Sequence, residues 1–309
     1  MKKGEEGSYK KHLSPSSSLF IPLHPSSPLP QALQRKLDRV TNTLHQCNRV
    51  MVAFSGGVDS TLLAKLARDV LGKDRVLAVT ADSPSLSRSD LEETKRLTAH
   101  LDLQHVVIHT DEVGQPAYRA NTLARCYFCK HELFQVLQEL ANARKIPIVL
   151  YGAIGDDRLD ERPGQQAAME YNVRAPLQEV GVGKAEVREL ARRFGLPNWD
   201  RPQNACLSSR IPHGLEVTEA KLSAIERAEA ALLGLGFRQV RVRHLGSHAR
   251  IEVGREEVAR FQDPALCQRV AEQLTGLGFR SIGVERTGYR PGGADHQIAD
   301  EILIRVTSA

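Results

Sequence analysis

Ser55-Gly56-Gly57-Val58-Asp59-Ser60 joins an apolar run at 50–54 to an amphipathic stretch at 61–71. A buried strand, a glycine turn and a helix start, in that order, present free backbone N–H groups and the positive end of a helix dipole, and both favour an anion. The two glycines let phosphate oxygens approach the backbone, and the serine hydroxyls add donors. The loop lacks the Gly-Lys-Ser/Thr ending of a Walker motif. A plain strand-to-helix turn capped by Asp59 or Ser60 is the structural alternative.

The chain has five cysteines, two of them spaced as Cys126-Tyr127-Phe128-Cys129. An odd count with one CxxC pair suits metal or redox chemistry better than a disulfide framework. A structural zinc clip would require a fourth ligand, for which His131 and Cys206 are candidates. Cys47 and Cys267 have no partner spacing and read as buried or helix-face thiols.

Three further groups carry charge or donors. Asp156, Asp157 and Asp160 follow a strand end, where they suit Mg²⁺ or substrate, or form a solvated loop. Ser208, Ser209 and Arg210 follow Cys206; they suit an anion or a hydrogen-bonded turn, and Arg210 is placed to lower a thiol pKa. Arg241 and Arg243 alternate on one strand, with Arg250 and Glu252 on the next. Strand arginines are usually solvated, but guanidinium forks also fit phosphate and carboxylate.

The elements that must position these residues read as α/β. Strands are expected at 50–54, 76–80, 105–109 and 148–151, and helices at 61–71, 89–101, 130–144 and 184–194. Alternating elements with right-handed crossovers give a doubly wound parallel sheet, with ligands beyond the carboxyl ends of the strands. After residue 212 the order becomes helix (219–233), strands (239–244, 249–253), helix (256–274) and strand (281–285), a smaller α+β domain. Gly234-Leu235-Gly236-Phe237-Arg238 is echoed by Gly276-Leu277-Gly278-Phe279-Arg280, each where a helix should close. The Ser- and Pro-rich start reads as a tail, so the division is 1–45 tail and lead-in, 46–212 nucleotide domain, 213–309 C-terminal domain.

Hydrophobic residues make up 41% of the 309, so a real core is affordable, while a net charge of +5 suits an anionic partner without distinguishing nucleotide from RNA. No apolar run approaches the roughly 18 residues of a membrane span, and the apolar stretch at 19–23 is too short for a signal peptide, so a cytoplasmic protein is expected.

Residues 53–60 resemble the signature of PP-loop ATP pyrophosphatases. Residues 156–164, 174–177 and 184–188, and above all Ala205-Cys206-Leu207-Ser208-Ser209-Arg210-Ile211-Pro212, resemble the LarE family of sulfur transferases, over about residues 49–290. The resemblance implies ATP with Mg²⁺, Ser55, Gly56, Gly57, Asp59 and Ser60 at ATP, and adenylation of a carboxylate on a pyridinium biscarboxylate mononucleotide. Sulfur then displaces AMP, in the making of the nickel-pincer nucleotide. It also implies substrate contacts from Ser208, Ser209, Arg210, Arg241, Arg243 and Arg250, possible Mg²⁺ ligands in Asp156, Asp160 and Glu252, and a homo-oligomer. In single-cysteine members the residue matching Cys206 gives up its own sulfur. Cys126, Cys129 and Cys206 together resemble the branch whose three cysteines hold a [4Fe–4S] cluster, which carries sulfide from a donor and spares Cys206. Tyr151 and Ile154 depart from the family pattern, which has Asp and Asn there.

Two other readings compete. A PP-loop tRNA thiolase would be expected to carry an RNA-binding appendage with paired CxxC motifs, and this sequence has none. A non-catalytic adenylate or cluster sensor would not release pyrophosphate with any carboxylate mononucleotide.

Overall fold

The computed structural model describes residues 28–157, 163–202, 204–290 and 300–305. The expected tail before residue 28, and Asp160, lie outside them. α1 (Gln31–His45) buries Leu33, Leu37, Val40 and Leu44, a stripe at helical spacing that joins the first core. The 31–45 part of the expected lead-in is therefore built into the nucleotide domain. It is also pinned there, because Lys36 Nζ donates to the Gly181 carbonyl at 2.6 Å and to Glu186 at 2.7 and 2.9 Å.

β1 (Val50–Ala53) pairs in parallel with strands on both sides and is covered on both faces, so its sequence is a continuous apolar run rather than an alternation. α2 (Val58–Leu71), β2 (Val76–Asp82), α3 (Arg88–His100) and β3 (Gln104–His109) follow. After the short α4 (Pro116–Arg119) comes α5 (Arg125–Ala143), then β4 (Ile148–Tyr151). The sheet order is β3-β2-β1-β4, all parallel. The chain thus winds outward from β1 and returns to its other side, and the switch point falls between β1 and β4, where such sheets open a crevice. α6 (Pro163–Glu170), α7 (Pro176–Glu179) and α8 (Lys184–Arg193) complete the layer.

α5 starts at Arg125, one turn earlier than expected. Its first turn therefore carries Cys126 and Cys129 three residues apart on one face.

The second sheet has the order β5-β6-β7-β8, from β5 (Val240–Leu245), β6 (His248–Val253), β7 (Ser281–Glu285) and β8 (Glu301–Ile304), with β6 and β7 parallel and the other pairs antiparallel. α9 (Glu219–Gly234) and α10 (Pro264–Thr275) pack on it. The single helix expected at 256–274 is divided into a 3-10 segment, Arg255–Gln262, and α10, because Asp263 caps the Ala265 N–H at 2.9 Å and Pro264 takes the first helical position. Gly236 and Gly278 of the echoed pentapeptides both take positive φ, at 84° and 98°. A small apolar cluster of Val113, Tyr118, Leu207, Ile211, Leu222 and Ile225 links the two sheets' layers.

Candidate active site

The Ser55–Ser60 loop turns at Gly56, whose φ of 71° is left-handed. Its carbonyl accepts from Asn198 Nδ2 at 2.9 Å, and the same amide donates to Thr61 Oγ1 at 3.0 Å. Thr61 Oγ1 and Ser60 Oγ in turn donate to the Gly57 carbonyl at 2.9 and 3.0 Å. The loop is thus held from behind. No side chain caps α2, so its first-turn N–H groups and dipole are left to the cavity that Gly57, Val58, Asp59 and Ser60 line. Across the switch point, Gly152 presses directly on this turn: a Cβ there would lie 2.7 Å from Ser60 N and 2.9 Å from Ser60 Cα.

Asp59 is paired with Lys184, whose Nζ reaches both carboxylate oxygens at 2.9 and 2.7 Å. Lys184 begins α8, and its backbone N–H is taken by Asp156 Oδ2 at 2.6 Å. Glu186 closes the same helix start by accepting from Gly183 N at 2.8 Å. Asp157 turns inward, with Oδ2 accepting from Ile154 N at 3.1 Å, and it lines the cavity. Ile154 itself is buried in the first core.

The cavity, about 720 Å³, runs from the loop to the cysteines, with Cys126, Cys129 and Cys206 all in its wall. Cys126 and Cys206 are exposed and Cys129 is half-buried. Desolvation raises the Cys129 pKa well above its ordinary value, and Glu112, Cys206 and Cys126 nearby raise it further. Glu112 is 3% exposed, with Oε1 accepting from Ser83 at 2.7 Å and Ser85 at 2.5 Å. Among the described residues no three His, Cys, Asp or Glu side chains are gathered at metal-ligand spacing. The thiols share a cavity rather than a preformed cage.

Cys206 precedes a 3-10 turn, Leu207–Arg210, and its loop is tied at several points. Leu207 N donates to Ser85 O at 2.9 Å, and Asp90 receives Arg201 at 2.7 Å and Asn204 at 2.6 Å. Arg210, 1% exposed, grips Glu229 at 2.9 and 3.1 Å and donates to the carbonyls of Ala205 and Cys206.

Several residues expected at substrate or Mg²⁺ are placed elsewhere. Ser208 is fully buried, its hydroxyl paired with Tyr118 at 2.6 Å and its carbonyl with Arg125 at 2.9 Å. Ser209 offers its carbonyl to Arg243 at 3.0 Å. Arg243 forks onto Glu252 at 3.0 and 2.7 Å, and Arg250 approaches the same carboxylate at 3.5 Å. Arg241 lies 5.3 Å from the Tyr289 ring centroid, its pKa lowered by desolvation and by Arg210. None of these, nor Asp156, lines the cavity. Buried guanidinium groups need carboxylates, and Glu252 of the second sheet serves Arg243 and Arg250 as Glu229 of α9 serves Arg210. Sequence alternation located the strands but gave no sign of Glu229. Asn198 and Asp90 went unremarked as well, being single polar residues in ordinary surroundings. Lys184 was visible only as part of a motif. Cys47 and Cys267 bond helix and turn carbonyls, Thr43 at 3.4 Å and Phe261 at 3.1 Å, and neither lines the cavity.

A family model described as NAD synthase matches residues 31–152. An NH3-dependent NAD+ synthetase from Methanosarcina acetivorans is 29% identical over 167 residues, 48% of this chain and 59% of that protein. An uncharacterized protein from Synechocystis is 42% identical over 260 residues, 84% of this chain and 97% of that protein. Over a stretch of the same length, pyridinium-3,5-bisthiocarboxylic acid mononucleotide synthase from Lactiplantibacillus plantarum is 35% identical, covering 84% of this chain and 94% of that protein.

An uncapped helix start behind a glycine loop, at the switch point of a parallel sheet, together with these matches, defines an ATP-using enzyme of the PP-loop class. The match to the NAD synthase model ends at residue 152, whereas the mononucleotide synthase is matched over 94% of its length. The chain belongs to the LarE family, that of the Lactiplantibacillus synthase.

Proposed function

We propose that the protein is an ATP-dependent sulfur transferase that converts a carboxylate of pyridinium-3,5-biscarboxylic acid mononucleotide to a thiocarboxylate, with Cys126, Cys129 and Cys206 holding a [4Fe–4S] cluster. One observation carries this reading: the three thiols and the pyrophosphate-binding loop line the same cavity. A carboxylate oxygen attacks the α-phosphorus of ATP, pyrophosphate leaves, and the acyl-adenylate that results is open to a sulfur nucleophile. The amides of α2 take the departing phosphate oxygens, joined by the Ser55 and Ser60 hydroxyls once these turn from their bonds within the loop. Lys184, released from Asp59, adds a cation beside them, and Asp59 and Asp157 supply the oxygen ligands that Mg²⁺ prefers.

Three thiolates are the ligand type a [4Fe–4S] cluster takes, and since these thiols are not already at ligand spacing, binding would draw them together. Cys126 and Cys129 from one helical face and Cys206 from the facing loop would hold the cluster, which would supply sulfide for transfer without consuming Cys206. The Cys129 thiol, held protonated by desolvation, gains a reason to ionise when a metal replaces its proton. The part of the chain before about residue 212 would carry the chemistry, and the part after it would brace the Cys206 loop.

Anaerobic iron and sulfide analysis of the wild type beside Cys126→Ala tests the cluster. Roughly four irons per chain with absorption near about 400 nm, lost in the variant, is the expected result. An iron-free wild type that loses the mass of hydrogen sulfide from Cys206 on turnover would replace it with a sacrificial cysteine.

A further inference from the structure

Tyr151 ends β4 in register with Ala53, the last residue of the loop-bearing strand. Its side chain is 7% exposed and lines the cavity. The ring meets Phe134 edge to face at 5.6 Å between centroids, and the Lys130 ammonium lies 5.0 Å from its own centroid. Buried phenols nearly always hydrogen-bond, as Tyr118 does to Ser208 and Tyr171 to His131. Among the described residues the Tyr151 hydroxyl makes no such bond, and it is not one of the buried atoms sealed from solvent, so it is open to the cavity. Burial, and secondarily the charge of Asp157, push its pKa up to about 12, so it remains an O–H donor through neutral pH.

Its position is fixed relative to the chemistry on both sides. The next residue, Gly152, abuts the backbone of Ser60, and Lys130 follows Cys129 on α5. A phenol donor with an ammonium alongside, between the pyrophosphate loop and the thiols, complements a negatively charged oxygen. The phosphates already have the amides of α2. What must sit between that loop and the cysteines, through adenylation and sulfur transfer, is the carboxylate-bearing ring.

Resting on the function proposed above, we infer that Tyr151 is a substrate-recognition residue whose hydroxyl donates to a ring carboxylate of the pyridinium mononucleotide, with Lys130 adding positive charge beside it.

Tyr151→Phe keeps the ring, its contact with Phe134 and the Lys130 stack, and removes only the hydroxyl. Pyrophosphate release gives KM for both substrates. The expected result is a rise of about 10- to 100-fold in KM for the pyridinium biscarboxylate mononucleotide, the range for a lost hydrogen bond to a charged group, with KM for ATP unchanged. A wild type that turns over this substrate while the variant's KM is unchanged, raised for ATP alone, or raised equally for both overturns the inference and leaves the functional reading in place. A wild type that releases no pyrophosphate with the mononucleotide overturns the reading, and the inference with it.

Discussion

Gly152→Ala tests whether direct backbone contact between β4 and the first turn of α2 sets the geometry of the nucleotide site. Alanine would place its Cβ 2.7 Å from Ser60 N, 2.9 Å from Ser60 Cα and 3.1 Å from the Asp59 carbonyl carbon. Ordinary contact begins near 3.4 Å, so about 0.7 Å must be found, and close-packed backbone on both sides cannot yield it as a rotating side chain could. Displacing Ser60 also moves the hydroxyl that bonds Gly57 O and pairs with Ser55 Oγ at 3.1 Å. Overpacking of this kind costs about 1–3 kcal/mol in stability. The larger effect falls on catalysis, since a shift approaching 1 Å in a positioning group costs on the order of 10²-fold, or about 2.7 kcal/mol of barrier. The assay is ATP-dependent pyrophosphate release beside a thermal melt. Gly276→Ala is the control, because its Cβ would find atoms only at 3.5 Å and its position, capping α10, is an αR one. A folded Gly152→Ala protein with wild-type pyrophosphate release would refute the reasoning.

Two further perturbations follow from buried polar groups. Glu229→Gln leaves Arg210, 1% exposed, without its counter-ion; a loss of about 3–5 kcal/mol, or roughly 10 °C in Tm, is expected, with sulfur transfer impaired more than pyrophosphate release. A Tm within about 1 °C of wild type would show that the pair does not hold the Cys206 loop. His105, between Thr80 at 2.8 Å and Thr98 at 3.1 Å, has its pKa lowered by burial from 6.5, so below that value the unfolded chain binds the proton more readily and stability falls with pH. Melts from pH 7 to pH 5 should show a steeper decline for the wild type than for His105→Asn, and equal slopes would assign the pH dependence elsewhere.

What the sequence revealed was local. The apolar run at 50–54, the glycine loop and the following helix lie within about two dozen residues, and strand burial, turn chemistry and helix start all act over that range. Their placement in a parallel sheet, with a second sheet after it, followed from the alternation of elements. The clasp of Arg210 on Glu229 and of Arg243 on Glu252 was hidden, because periodicity shows which face a residue occupies and not what meets it there. Hence the carboxylate partners of these arginines could not be named from the sequence. α1 was obscured by the Ser- and Pro-rich stretch before it, although Leu33, Leu37, Val40 and Leu44 carry the stripe. β8 is a four-residue edge strand, too short for alternation to be distinctive. The early start of α5 mattered most, because the CxxC pair has a common face only once Arg125–Ala143 is read as helical throughout.

The two walls of the cavity are held by different physics. The nucleotide wall is backbone on backbone: Gly152 against Ser60, with the Asn198 amide bridging Gly56 and Thr61. Such contacts have little freedom, which suits donors that must be in place before charge develops on a leaving pyrophosphate. The Cys206 wall hangs from charged side chains rooted in α9 and the C-terminal sheet, where Glu229 of α9 also accepts from Val242 N at 3.0 Å and Arg243 reaches back to Ser209. Buried ion pairs add little net stability compared with apolar packing, yet they are costly to break one partner at a time. They therefore fix where the loop sits without deepening the core. The proposed function, with one cavity for both adenylation and sulfur transfer, would require that arrangement, because the thiols would have to face the carboxylate that the loop activates. α9 and the second sheet supply it through residues that lie outside the cavity lining.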